Sequence, residues 1–303
     1  HSLRAQADRR KYQTVMKHTL EQQENLQLKQ AQIVKVLTEN GQVTGVQTQL
    51  GAVYDAKAVI ICTGTFLDST IVIGESVQSA GPDGMHASQG LADNLRKLGL
   101  PLRRFKTGTP PRVLSRTVDF DEMDLQPGDE VPVPFSYSTK APLENSAACW
   151  LTWTTEETKQ IVQDNLHLAP MYSGLIEGIG PRYCPSFEDK VVRFAHHPRH
   201  LLFLEPEGAQ NGEYYVNGIS TSLPLDIQEK MVNSIRGLEH AKIVRPGFGI
   251  EYDYVNPIQL KPTFETRKVQ GLWLAGQING TSGYEEAAAQ GMWAALNIAA
   301  QLE

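Results

Sequence analysis

The stretch GPRYCPSFEDK, residues 180–190, gathers several side chains that could do chemistry. It places Cys184 two residues after Arg182 and six residues before Lys190. Neighbouring cations lower the pKa of a thiol and so raise the fraction of nucleophilic thiolate. A thiolate in this setting can add to a ring carbon of a substrate. The alternative is a structural place in the loop, and the residues alone leave both interpretations open.

The other cysteines give no comparable signal. The chain has three, Cys62, Cys149 and Cys184, and no Cys-x-x-Cys or histidine spacing accompanies them. This pattern predicts free thiols, with neither a disulfide framework nor a metal site. Cys62 falls within a predicted buried strand, where a packing role is expected. Cys149 stands beside a tryptophan without a motif partner and receives no role.

A second candidate site lies near the carboxyl end, in GLWLAGQINGTSGYEEAAAQG. The pattern predicts a buried strand at 272–275, a glycine-rich loop, and a helix that begins near Tyr284 and is capped by Thr281 or Ser282. The small residues at 287–291 would let this helix pack closely on a sheet. A strand, a glycine-rich loop and a helix can direct backbone amides at an anionic or electron-rich ligand group. The plain alternative is an ordinary connection between a strand and a helix.

The elements that position these residues begin with a predicted surface helix, in which apolar residues from Tyr12 to Leu20 recur at helical spacing. A strand is then expected at 26–28, followed by a three-stranded meander with turns at Asn40-Gly41 and Leu50-Gly51. The segment AKAVIICTGTF predicts a buried strand that ends at Gly64. This order of elements is typical of the middle of a flavoprotein-type dinucleotide-binding fold.

The long stretch from 101 to 260 is rich in proline and aromatic residues, which predicts irregular loops forming a second unit. Residues 94–118 hold seven basic residues and no acidic residue, and the next twelve hold six acidic residues. Either the two blocks are solvated faces that screen each other, or the basic block binds phosphates.

Composition limits the class of protein. The chain of 303 residues is 41% apolar and has a formal net charge of -6, which argues against a general nucleic-acid coat protein. No apolar run approaches the roughly 18 residues of a membrane span, and the charged start does not fit a signal peptide. We therefore expect a cytoplasmic protein without a membrane partner. The absence of an initiator methionine suggests a fragment.

Several longer motifs carry a family resemblance. The stretches RAQADRRKY, GTFLDSTIVIG, KTGTPPR, PMYSGLIEGIGPRYCPSFEDKVVRF, FLEPEG, YYVNGISTSLP, RPGFGIEYDYVNP and LAGQINGTSGYEEAAAQG together resemble the MnmG (GidA) family. That family comprises flavin-dependent enzymes that, with the GTPase MnmE, install the carboxymethylaminomethyl group on the wobble uridine of tRNA.

The resemblance implies an α/β fold, namely a glutathione-reductase-like FAD/NAD(P)-binding domain of Rossmann type with an inserted α+β domain. The expected domains are a partial FAD-binding domain at 1–108, an insertion domain associated with NADH and tRNA at 109–258, and a return segment of the FAD-binding domain at 259–303. No Gly-x-Gly-x-x-Gly stands in the chain. The amino-terminal βαβ unit that carries this motif and the helical domain that contacts MnmE are therefore expected outside it, and the piece is expected to be inactive alone.

Site residues follow from the resemblance, position by position. It implies FAD contacts at Ile33, Gly64, Thr65, Ser88, Gln277, Asn279 and Gly280. It implies that NADH is bound by the segment made of Gly180, Pro181, Arg182, Tyr183, Cys184, Pro185, Ser186, Phe187, Glu188, Asp189, Lys190, Val191, Val192, Arg193 and Phe194. Cys184 matches a cysteine suspected of a nucleophilic role in the family. For contacts with the tRNA backbone we expect Arg103, Arg104, Lys106 and Arg112.

The resemblance also implies the reaction partners: NADH to reduce FAD, methylenetetrahydrofolate as the one-carbon donor, tRNA as substrate, and a homodimer in the full-length protein. Two alternatives remain. One is a folate- and FAD-dependent tRNA uridine methyltransferase resembling TrmFO, in which GPRYCPSFEDK and NGISTSLP are not expected. The other is a non-catalytic module that binds tRNA or a partner protein.

Overall fold

A computed structural model describes residues 4–140, 142–180, 185–208 and 212–303. The chain divides into two compact units. The first unit comprises residues 1–29, 109–169 and 186–248, and the second unit comprises residues 30–108, 170–185 and 249–303. This division is one of compactness, so the functional domains predicted at 1–108, 109–258 and 259–303 stay predictions.

The α-helices in the described ranges are α1 (Arg9–Glu21), α2 (Leu91–Lys97), α3 (Glu156–Asp164), α4 (Pro170–Ser173), α5 (Phe187–Arg193), α6 (Leu225–Asn233) and α7 (Glu285–Leu302). The strands are β1 (Ile33–Glu39), β2 (Gln42–Thr48), β3 (Val53–Asp55), β4 (Val59–Ile61), β5 (Thr70–Ile73), β6 (Ser76–Ser79), β7 (Leu102–Thr109), β8 (Arg112–Leu114), β9 (Asp124–Gln126), β10 (Cys149–Trp153), β11 (Leu201–Pro206), β12 (Glu213–Asn217), β13 (Ile243–Arg245), β14 (Phe248–Val255) and β15 (Leu272–Leu274).

The first unit is built on a six-stranded antiparallel sheet with the order β13-β8-β12-β11-β10-β9. Its core includes Val113, Phe187, Leu204 and Met231, all completely buried. The prediction of irregular loops across this region is therefore wrong. Several of these strands are only three residues long, and they pair with segments far away in sequence, so a local pattern does not reveal them.

The predicted surface helix is confirmed as α1. The carboxylate of Asp8 caps it by accepting a hydrogen bond from the amide of Lys11, and none of its residues is buried. The strand expected at 26–28 is wrong, because those residues form no strand and are exposed.

The second unit contains the predicted meander, β1-β2-β3, all antiparallel. Asn40 and Gly41 both take a positive φ, 51° and 80°, as the tight two-residue turn between β1 and β2 requires. A separate four-stranded sheet has the order β6-β5-β14-β7. The return strand β4 ends at Ile61, three residues before the predicted end at Gly64.

The last helix, α7, begins where the sequence predicts, directly after Tyr284. The predicted side-chain cap is wrong: no side chain caps this helix, and the hydroxyl of Ser282 instead donates to the carboxylate of Glu286. Of the described residues in α7, Ala294 alone is buried, so the close packing expected at 287–291 is not observed. In the described part of the chain, no helix has the length and hydropathy needed to cross a bilayer.

Candidate functional site

Two neighbouring parallel strands of the second unit, β4 and β15, end side by side. Ile61 closes β4 and Leu274 closes β15, and these two residues are directly paired. The amide of Ala275 donates to the carbonyl of Ile61 at 3.0 Å, which holds the two following loops together. In open α/β sheets, ligands bind in the crevice outside the carboxyl ends of such strands. The predicted FAD contacts at 64–65 and 277–280 therefore share one edge of the second unit.

The side chain of Gln277 lies between these loops. Its Oε1 is 3.6 Å from the position that a Cβ on Gly64 would take, and 3.0 Å from the corresponding position on Gly283. A side chain at Gly283 would therefore crowd the Gln277 amide. Gly64 also has φ of +56°, a conformation that glycine adopts at little cost. The structure brings together Gln277 and Gly64, two of the predicted contacts.

The loop between β15 and α7, residues 275–284, is called the crossover here. Hydrogen bonds from side chains hold it in place. The Nδ2 of Asn279 donates to the carbonyl of Leu274 at 2.8 Å and to Oε1 of Gln290 at 2.9 Å. The same Gln290 oxygen accepts from the amide of Gly276 at 2.9 Å. Gln290 lies on α7, so this helix holds the loop in one conformation. Sequence reasoning did not identify Gln290 as a residue that holds this loop.

Among the residues that the structure describes, two polar atoms at this edge have no hydrogen-bond partner. Oγ1 of Thr63 follows β4, Oδ1 of Asn279 follows β15, and both atoms are buried without a hydrogen bond. A buried polar atom that lacks a partner costs roughly 1–3 kcal/mol. Unsatisfied groups of this kind are uncommon in folded proteins and indicate a missing ligand or solvent partner.

Gly280, also in the crossover, lies against two aromatic rings. Its φ is +82°, and a Cβ there would lie 3.1 Å from ring atoms of Phe105 and Tyr254. These two rings stack with centroids 3.8 Å apart. Phe105 also forms a parallel β-bridge with Ile179, directly before Gly180. In the second unit, β7 therefore connects the crossover to the start of the predicted NADH segment.

The remaining predicted FAD contacts lie on elements of the same unit. Ile33 opens β1, as expected. Ser88 forms a parallel bridge with Leu67, and its amide donates to the carbonyl of Phe66 at 2.7 Å. Within the described part of the chain, no hydrogen bond joins either residue to the loop after β15, and their contacts with FAD stay predictions.

The predicted NADH segment is divided between the two units. Gly180 and Pro185 belong to the second unit, whereas residues 186–194 belong to the first. Pro181, Arg182, Tyr183 and Cys184 lie outside the described residues. The candidate nucleophile Cys184 is therefore not placed.

Within the first unit, this segment faces largely inward. Phe187, Glu188 and Val191 are buried, and Oε1 of Glu188 accepts from the hydroxyl of Thr221 at 2.7 Å. The ammonium of Lys190 donates to the carbonyl of Gly218 at 2.8 Å.

The exposed residues of this segment are Val192, Arg193 and Phe194. Ser186 caps α5 through its hydroxyl, and Asp189 on the first turn of that helix is also buried.

The four cations predicted to contact tRNA differ in exposure. Arg103 is exposed. Arg104 donates to Asp68 O at 2.7 Å and to the Asp253 carboxylate at 3.3 Å. Lys106 is only 2% exposed.

Arg112, the fourth of these cations, belongs to the first unit. It is buried, and its Nε donates to Glu207 at 2.9 Å. Desolvation tends to raise the pKa of Glu207, but hydrogen bonds and charges from Arg112 and Arg9 outweigh it, and the net pKa lies below its usual value. The positive charge of Arg112 is therefore balanced within the protein, by the carboxylate of Glu207.

The two cysteines in the described ranges do not resemble activated nucleophiles. Cys62 follows β4 and is exposed, so the expectation of a packing residue within the strand is wrong. Desolvation nevertheless raises the pKa of the Cys62 thiol. Burial and the charge of Glu205 raise the pKa of Cys149 as well, against a lowering effect of Arg4. Among the residues with described positions, no cluster of three or more His, Cys, Asp or Glu could hold a metal ion.

Comparisons with known proteins give the chain a family. The family described as glucose inhibited division protein A (GIDA) matches residues 1–303. The tRNA uridine 5-carboxymethylaminomethyl modification enzyme MnmG of Caldicellulosiruptor saccharolyticus is 54% identical over 299 residues, covering 99% of this chain and 48% of that protein. Its counterpart from Geobacillus thermodenitrificans is 56% identical over 298 residues, covering 98% and 47%. The chain thus spans about half the length of the curated relatives it matches.

Comparison with solved structures gives the same family. Aquifex aeolicus GidA in one crystal form superposes with a TM-score of 0.90 at 49% identity, covering 95% of this chain and 49% of that chain. A second crystal form gives a TM-score of 0.88, covering 95% and 47%. The predicted α/β fold class of the Rossmann type is confirmed by this likeness. From the match over all 303 residues and the shared fold, the chain belongs to the glucose inhibited division protein A (GidA) family.

Proposed function

We propose that this chain provides part of the flavin site of an enzyme that modifies the wobble uridine of tRNA. The observation that carries the proposal is family membership over residues 1–303, together with close relatives named as tRNA uridine 5-carboxymethylaminomethyl modification enzymes. The crossover of the second unit supports the cofactor part of the proposal independently. It has the glycines, the open strand ends and the unsatisfied polar atoms that a ligand site requires.

The residues at this edge fit FAD. Thr63 Oγ1 can donate and Asn279 Oδ1 can accept, and both lack a partner. Gly64 and Gly283 leave room on both sides of the Gln277 amide, which can hydrogen-bond to a flavin ring. When bound, FAD supplies the redox chemistry, and the protein supplies binding, orientation and electrostatics.

Further parts of the proposal concern the complete protein. We propose that NADH reduces FAD and is bound with the help of residues 180–194, and that methylenetetrahydrofolate provides the one-carbon unit. The partners are tRNA, the GTPase MnmE and a second copy of the protein, and the site of action is the cytoplasm. Of the four cations predicted for tRNA, Arg103 supports this role best, because it is exposed on β7.

The proposal is tested by nucleoside mass spectrometry of tRNA from a bacterium that lacks its own GidA gene and expresses the complete protein. We expect 5-carboxymethylaminomethyluridine to return at the wobble position. Gln277→Ala should lower its yield severalfold and by up to about tenfold, since a typical hydrogen bond is worth about 0.5–1.5 kcal/mol and about 1.4 kcal/mol corresponds to tenfold in rate. Gln49→Ala is the matched control, because Gln49 is exposed and distant in sequence from the crossover.

The same spectra separate the alternatives. Appearance of 5-methyluridine in place of the wobble modification would favour the TrmFO-like methyltransferase. Unmodified tRNA despite normal protein levels would favour a binding module and contradict the enzymatic proposal. Equal yields from Gln277→Ala and wild type would remove Gln277 from the site.

A further inference from the structure

The loop that follows α5 in the first unit, residues 194–200, is basic and exposed, and we call it the basic loop. Its cations and imidazoles are His196, His197, Arg199 and His200. No acidic residue occurs between positions 190 and 204. Residues 194–199 are all exposed, whereas the His200 ring packs against the buried ring of Phe187, with centroids 5.7 Å apart. The proposed flavin site makes no use of this loop.

Hydrogen bonds fix the backbone of the basic loop at both ends. The ammonium of Lys159 on α3 donates to the carbonyl of Ala195 at 3.1 Å. The amide of His200 donates to the hydroxyl of Thr154 at 2.8 Å, and the amide of Thr154 donates to the carbonyl of His200 at 3.0 Å. A surface that is already ordered loses little conformational entropy when a ligand binds to it.

Arg199 lies over an aromatic ring. Its guanidinium carbon is 4.3 Å from the ring centroid of Trp153, the last residue of β10. Arg199 is exposed, and among the residues with described positions it makes no ion pair. The guanidinium is planar, so the face that turns away from Trp153 can stack on a further flat group. In the same loop, the rings of His196 and His197 lie 4.3 Å apart.

A cleft of about 440 Å³ adjoins this pair of residues. Its volume falls within the range of about 300–1,000 Å³ that is usual for small-ligand pockets. The lining includes Trp153, Pro198 and Arg199, together with the acidic residues Asp121, Asp124 and Glu156. Glu122 also lines the cleft, but its carboxylate accepts from Nε of Arg236 at 2.6 Å. Carboxylates can accept hydrogen bonds from the amino groups of nucleobases.

This mixture of charges favours a nucleic acid over a protein partner. An acidic peptide would bring its carboxylates against Asp121, Asp124 and Glu156, and a basic peptide would meet the basic loop. An unpaired nucleotide is complementary to both parts, because its phosphate is anionic while its base has a π face and N–H donors.

We propose that the cleft and the basic loop bind an unpaired nucleotide of RNA, with the base stacked on the face of the Arg199 guanidinium that turns away from Trp153. Flanking phosphates lie along the basic loop. Unpaired bases in RNA loops are commonly recognised by stacking on aromatic rings or guanidinium planes. The inference rests on the proposed function, because it takes tRNA as the RNA concerned, and it assigns that RNA a contact surface in the first unit.

Binding of an anticodon stem-loop RNA to the complete protein, measured by fluorescence anisotropy, tests this surface. We expect Arg199→Ala to raise the Kd by about 5- to 150-fold, the effect of losing the stacking of one base. Arg199→Lys keeps the charge but lacks the flat guanidinium, so it should also bind more weakly than the wild type. Wild-type affinity in Arg199→Lys would show plain charge attraction and would overturn the stacking that we propose.

Arg116→Ala is the matched control. Arg116 is exposed and follows β8, which is three strands away from β10 in the six-stranded sheet. This variant should bind the stem-loop like the wild type. A blunt RNA duplex of the same length has no unpaired base, so Arg199→Ala should weaken duplex binding much less than stem-loop binding. Wild-type affinity of Arg199→Ala for the stem-loop, or equal losses for both RNAs, would overturn the proposal.

A measurement on the wild type alone guards against a variant that fails to fold. The stem-loop should slow amide hydrogen exchange in peptides covering 150–156 and 193–200, and unchanged exchange there would contradict the surface. The outcomes are distinct from those of the proposed function. Normal uridine modification with wild-type binding by Arg199→Ala would contradict this surface alone, whereas Arg199-dependent binding without any modified uridine would contradict the proposed function alone.

Discussion

Gly280 is required by its surroundings on two counts. Its φ of +82° disfavours any residue with a Cβ, and the Phe105 and Tyr254 rings occupy the space where that Cβ would go. Gly99 has the same φ of +82° but nothing within 4 Å of its Cβ position. Alanine substitutions at Gly99 and Gly280 therefore separate two costs: that of a left-handed backbone with a Cβ, and that of displacing the stacked rings of Phe105 and Tyr254.

We expect Gly99→Ala to lower the free energy of unfolding by about 1–2 kcal/mol, the cost of a left-handed conformation. Gly280→Ala should lower it by a further amount of about 1–3 kcal/mol, because the stacked rings must shift. Urea unfolding measures both values, and near-ultraviolet circular dichroism should report the displaced rings only for Gly280→Ala. Equal losses of stability in the two variants would show that the rings yield freely.

At the scale of elements, β14 organises the second unit through its alternation. The sequence FGIEYDYV places aromatic side chains on one face and carboxylates on the other. Glu251 then holds the segment 177–180, although 74 residues separate Glu177 from it in the chain. Strand alternation is visible in the sequence, but the partner of each carboxylate is not.

Removing this carboxylate should release that segment. We expect Glu251→Ala to leave the amides of Glu177 and Gly178 without their acceptor, at about 1–3 kcal/mol for the buried Gly178 amide and less for the part-buried Glu177 amide. Amide hydrogen exchange at these two positions should become faster. Glu251→Gln retains a carbonyl acceptor and should give an intermediate rate.

Glu239→Ala serves as the control, because Glu239 is exposed and belongs to the first unit. It should leave the exchange rates at 177 and 178 unchanged. Unchanged rates in Glu251→Ala would mean that the segment is held by other contacts.

Turns and helix starts that depend on neighbouring residues could be predicted from the sequence. The turn at Asn40-Gly41 requires two positive φ values that these residues tolerate, and the helix α7 has a clear start, so both are confirmed. Lys106 and Arg112 could not be placed in this way. A basic residue in a basic run suggests an exposed patch. The burial of Arg112 depends on Glu207, 95 residues away, and Lys106 pairs through its backbone amide with the distant carbonyl of Ile179.

At the scale of the whole molecule, the continuous sequence motif at 180–194 is divided between two compact units. The predicted NADH segment crosses from the second unit to the first at Pro185, and its part in α5 contributes core residues such as Phe187. Resemblance identified the motif as a unit because it compares sequences. The fold divides this motif, because Gly180 and Pro185 belong to the second unit whereas the residues of α5 belong to the first.

The central claim is that the strand ends of β4 and β15 form a flavin site. A crystal structure of the complete protein with FAD tests it most directly. We predict that the isoalloxazine ring lies within van der Waals contact of Gly64 and the Gln277 amide, and that FAD supplies partners for Thr63 Oγ1 and Asn279 Oδ1. Density for the ring elsewhere, with these two atoms still unsatisfied, would contradict the claim.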